Sequence, residues 1–148
     1  MLGMLATICA GLFAGAASYV TLVEHPARLS CGPELALREF APSYRRGTVM
    51  QASLALTGCV LAVVAWGYGH DARVLVAGLL LGSVVPFTLV VILPTNQQLL
   101  DPQLDRRSPR AAELLTRWGR LHAVRSALSL LAFVLLVTRL ASGTPSAR

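Results

Sequence analysis

The chain has no lysine. All 13 of its basic residues are arginine, a bias that reflects a GC-rich genome and from which no chemistry is drawn. Charge of either sign is scarce. Charged residues make up 14% of the 148 positions and hydrophobic ones 55%, with a mean hydropathy of +0.63. Soluble domains average about 25% charged residues, so this composition excludes an ordinary soluble globule and points to the bilayer. The three cysteines, Cys9, Cys31 and Cys59, form no C-x-x-C pair and no zinc-like spacing. They are expected to be spectator thiols outside any disulfide framework. A compact basic module is also missing, so the net charge of +6 gives no ground for a nucleic-acid partner. No internal repeat is evident, and the length leaves no room for a separate soluble module.

What the chain does have is apolar length. Four stretches, at about 3–23, 49–68, 74–93 and 121–140, approach the roughly 20 residues a helix needs to cross the hydrocarbon core. They predict an all-α, integral membrane four-helix bundle over 1–141, with a long amphipathic start to the fourth helix and a disordered tail at 142–148. A cleaved signal peptide is the competing reading of the first stretch. It is disfavoured because no Arg or Lys precedes the stretch, which is longer than a typical signal core. Gly11-x-x-x-Gly15 and Gly78-x-x-x-Gly82 offer close helix contacts within or between chains, so an oligomer is open. The connection 28–47 is polar; a short interfacial helix is expected at 33–40, broken by Pro42. Pro86 is expected to kink the third span, and Ser108-Pro109 to start the fourth helix.

Ten arginines cluster at one end of this arrangement, against Arg73, Arg139 and Arg148 at the other. The positive-inside rule then puts the connections 24–48 and 94–120 in the cytoplasm and both termini outside. The setting this implies is a multi-pass protein of a bacterial inner membrane. The polarity is one-sided. Glu24 and His25, Tyr44 and Gln51, Asn96, and finally Trp118, His122 and Arg125 all fall at the arginine-rich end. Trp118, His122 and Arg125 follow at intervals of four and three, so one helical face presents all three. The strictly apolar run behind them is too short to span alone, which draws His122 and Arg125 to membrane depth. Ionisable groups there are costly and face a bundle interior or a wet cavity. Bland readings stand beside this one: Trp118 as an interface anchor, His25 as a solvated turn residue, and Arg125 paired with Glu24 or Glu113.

At these residues the chain resembles the small four-span membrane proteins grouped with the fungal anthrone oxygenases, a family also known as domain of unknown function 1772. The matching elements are Gly11-x-x-x-Gly15, His25-Pro26, Tyr44, Pro86, Pro94-Thr95-Asn96 and Trp118-x-x-x-His122-x-x-Arg125. The resemblance implies an integral membrane bundle, some members of which oxidise polycyclic anthrones to anthraquinones with O2 and no known cofactor.

On that footing the expected function is a monooxygenase acting on a hydrophobic polycyclic or phenolic substrate drawn from the lipid bilayer. His122 would serve as base and Arg125 would hold the oxyanion. Trp118, Tyr44, Asn96, His25 and Gln51 would bind substrate, and O2 would be the co-substrate without a cofactor. A variant adds iron or copper on His25, His122 and Glu24, although no local spacing supports it. The alternative of another class is a non-enzymatic bundle that binds or presents a lipid or quinone to a partner.

Overall fold

The computed structural model describes residues 1–142. Runs of Leu, Val and Ala with few breakers fold as four long helices: α1 (Leu2–Ser30), α2 (Pro33–Gly69), α3 (Ala72–Leu99) and α4 (Pro109–Ser142). Each is long and apolar enough to cross a membrane, and no strand occurs among the described residues. Consecutive helices pack side by side and α4 closes the ring against α1, an up-and-down bundle. The turns have local causes. Gly32 takes φ +81° between α1 and α2, a conformation glycine adopts without steric penalty. Asp71 caps α3 through the Arg73 amide at 2.9 Å and pairs with Arg139 of α4 at 2.6 Å, tying off the arginine-poor end. Ser108 Oγ accepts the Ala111 amide at 3.2 Å and caps α4.

One expectation needs correction. Pro42 does not break the helix, because α2 runs unbroken from Pro33 to Gly69. Proline removes one backbone donor and frees the carbonyl four residues back, here that of Arg38 near the helix start. Ser142 is the last residue of α4; of the disordered tail expected at 142–148, positions 143–148 lie outside the described residues.

The helices α1 and α3 share a distortion that the sequence pattern did not reveal. Each contains one wide π-turn, at Val20–Glu24 and Thr88–Ile92, and in each a proline follows two residues later, Pro26 and Pro94. A π-turn fits one extra residue into the helix and recurs at functional sites.

Lipid-like packing governs the interior. Ala6, Ala10, Ala17, Ala55, Ala62, Ala77 and Ala132 are fully buried around Phe13, Leu81 and Leu136, so small residues let the backbones approach. A Cβ on Gly78 would meet Ala62, and one on Gly82 would meet Cys59, so this glycine pair seats α2 within the chain. Large apolar side chains such as Leu22, Val49 and Val90 face outward, each at least 70% exposed, the reverse of a soluble helix surface. A second apolar cluster around Phe40, Leu114, Leu115 and Trp118 fills the arginine-rich end. Between the two clusters lies a layer of buried polar groups.

Candidate functional site

The polar layer encloses a small chamber of about 50 Å³. Helix α4 supplies Trp118, His122 and Arg125, α2 supplies Tyr44 and Gln51, and α3 supplies Asn96. Six residues named from sequence thus line one cavity. The amphipathic start of α4 makes this possible, since its four-and-three spacing keeps the trio on the inward face. His122 is 3% exposed. Its ring stacks on Trp118, with centroids 4.7 Å apart and planes at 27°.

A chain of hydroxyls holds the imidazole from behind. His122 Nδ1 lies 3.0 Å from Thr21 Oγ1, which lies 2.7 Å from Ser126 Oγ. Ser126 reaches the carbonyl oxygens of Ala17 and His122 at 3.0 and 3.2 Å. With the Ser126 proton on either carbonyl, Ser126 accepts from Thr21. Thr21, its own proton committed to Ser126, can only accept from the histidine. In that arrangement Nδ1 carries the hydrogen, and the lone pair of a neutral His122 sits on Nε2, the nitrogen left for the chamber.

Arg125 donates from Nη2 to Gln51 Oε1 and lies over the Phe13 ring at 5.3 Å. Neither acid considered as its counter-ion reaches it. Glu24 pairs with Arg28, and Glu113 pairs with Arg110 at 2.9 Å. Asn96 is 1% exposed, and neither its amide nitrogen nor its carbonyl oxygen has a hydrogen-bond partner. Buried polar groups are nearly always satisfied, so the chamber presents unused donors and an unused acceptor.

His25 and Glu24 lie outside the chamber lining. The His25 ring is buried behind the wall, 5.1 Å from Trp118. It fits there because residue 119 is glycine; a Cβ on Gly119 would lie 2.6 Å from His25 Cδ2. Both histidines thus pack on one indole, while Glu24 is engaged by Arg28 and by Ser43 at 3.1 Å. No three of His, Cys, Asp and Glu converge among the described residues.

The sequence reading missed Arg28, counted only as a topology charge. Its side chain is buried, paired with Glu24 and Glu39, within 5.9 Å of the Phe40 and Trp118 ring centroids, and it lines the chamber. The available signal was Glu24-x-x-x-Arg28, an i, i+4 ion pair on one helix face. Thr21 and Ser126 were missed as well, because an isolated hydroxyl in an apolar helix ordinarily bonds its own backbone.

Comparison with known proteins gives a consistent picture. A family model for anthrone oxygenase matches residues 40–135, a range that takes in every chamber residue named from sequence. An anthrone oxygenase of Aspergillus fumigatus is 31% identical over 144 residues, covering 88% of this chain and 87% of the relative. An anthrone oxygenase of Claviceps purpurea is 26% identical over 151 residues, covering 92% and 87%. No solved structure matches significantly.

Proposed function

The chain belongs to the anthrone oxygenase family, and from that premise we propose that it is a membrane-embedded monooxygenase. Its substrate is a hydrophobic anthrone-like phenol, oxidised at an activated methylene with O2 as the only co-substrate. The arginine-rich end, with its chamber, faces the cytoplasm, and both termini lie on the other side.

The observation that carries the reading is the arrangement of His122. A neutral imidazole with its lone pair on Nε2, beside a guanidinium that no carboxylate neutralises among the described residues, suits removal of a proton from an acidic C–H. Proton transfer to Nε2 leaves a delocalised anion whose oxygen is stabilised by Arg125. The anion gives one electron to O2, and the radical pair joins to form a C–O bond. The resulting peroxide takes the proton back from His122. Loss of the second methylene proton, with cleavage of the O–O bond, releases water and leaves the quinone. One O2 enters, one oxygen atom stays in the product, and the other leaves as water.

Oxygen uptake and quinone absorbance, followed with a hydroxylated anthrone and the full chain in lipid nanodiscs, test this. His122→Ala should lower kcat by about 10²–10⁴-fold, the usual share of a general base, and turnover should survive exhaustive chelation. Unchanged turnover in His122→Ala would remove the base assignment. Binding of the anthrone without oxygen uptake in the wild-type protein would favour the presenting bundle.

A further inference from the structure

The chamber raises a problem of size. Pockets that bury a drug-sized ring system run to roughly 300–1,000 Å³, whereas the chamber measures about 50 Å³, room for dioxygen or a few waters. The missing volume lies next door. Between the arginine-rich halves of α1 and α2 runs a groove of about 530 Å³. It shares Val20, Ser43, Gly47 and Gln51 with the chamber wall, so the two spaces adjoin across those residues. It is apolar and aromatic where Tyr19, Val20 and Met50 line it, Tyr19 and Met50 being about half exposed, and charged where Glu24, Glu39 and Arg46 do. The groove sits where α1 makes its π-turn and α2 carries Pro42.

We propose that this groove is the binding site for the flat rings of the substrate, and that Gly47 is the threshold between it and the chamber. The inference rests on the oxygenase reading above. The ring system lies along the groove with its reactive edge across Gly47, facing His122, Arg125 and Asn96. The small chamber holds only the reacting carbon, the oxygen atom to be stabilised and O2. Asn96, buried with both polar atoms unused, stands ready for a polar group at that edge. Lateral access between α1 and α2 lets a greasy substrate pass from lipid to the reacting groups without crossing water.

Gly47 offers a clean test, because a Cβ added there meets nothing within 4 Å. The helix accepts a side chain at this position, where the backbone lines both spaces. Gly47→Phe should raise the KM for a hydroxylated anthrone by about tenfold or more, while Gly67→Phe, in equally open space at the far end of α2, should not. Wild-type protein gives an independent readout. Anthraquinone is photoreactive, and irradiation of the product complex should leave adducts on Tyr19, Val20 or Met50. An active enzyme whose KM is indifferent to Gly47→Phe, or whose adducts fall only on the outer faces of α3 and α4, would overturn the groove and leave lipid as its occupant. A wild-type protein that neither binds nor oxidises the anthrone would instead overturn the oxygenase reading, and the groove assignment with it.

Discussion

Thr21 and His122, 101 residues apart, meet at 3.0 Å through a hydroxyl and Nδ1. The threonine also meets Ser126 at 2.7 Å, so one small residue of α1 bears on which nitrogen of an α4 imidazole carries the proton. Thr21→Val keeps the shape and removes the acceptor. It should lower kcat by about tenfold with little change in KM, a smaller loss than removing the base itself. Nitrogen NMR of selectively labelled histidine should find Nδ1 protonated in the wild type and a tautomer mixture in Thr21→Val. A wild-type Nε2–H tautomer would refute the hydroxyl chain.

The buried polar groups of the chamber cost stability. A buried polar group without a partner costs about 1–3 kcal/mol, and Asn96 has none for either polar atom. Asn96→Leu should therefore raise Tm in detergent while weakening quinone binding. Arg125→Met should also hold or raise Tm, since a buried cation replaced by an apolar side chain of similar length is often neutral or stabilising, and should abolish turnover. A fall in Tm with either variant would show that these groups hold the bundle together.

The fit of Gly119 against His25 is a packing prediction. Gly119→Ala should cost about 1–3 kcal/mol by overpacking, because the added Cβ would lie 2.6 Å from His25 Cδ2. The double variant His25→Ala/Gly119→Ala should lose less than the sum of the two single variants, as contacting residues do. Strict additivity of the Tm shifts would dismiss the contact.

Orientation can be read from a native thiol. Cys31 is exposed at the turn between α1 and α2, while Cys9 and Cys59 are partly buried. A membrane-impermeant maleimide should label Cys31 in inverted vesicles and spare it in intact cells. Labelling from outside the cell would reverse the assigned topology.

Much of this was legible from the chain alone. Helical spacing placed Trp118, His122 and Arg125 on one face, and the shortage of apolar length behind them drew that face inward. Span ends brought Tyr44, Gln51 and Asn96 to the same level. What escaped was anything decided by how two helices dock. His25 looked like a ligand contact, yet the gap at Gly119 lets it slip behind Trp118 into the wall. Arg28 looked like a surface charge, yet Glu24 and Glu39 neutralise it in a buried position. Pro42 reads as a stop in sequence, but the helix it interrupts is already under way and loses a single hydrogen bond.

The wide turns in α1 and α3 give the polar wall an unusual dependence on spacing. Each represents one surplus residue, and each surplus swivels everything downstream by about 100° about the helix axis. Arg28 and Asn96 both lie just beyond such a turn. Straightening 20–24 or 88–92 into regular α-helix without losing a residue would turn the guanidinium or the carboxamide by that angle, whereas excising one residue there would remove the wide turn and leave both facing as they do.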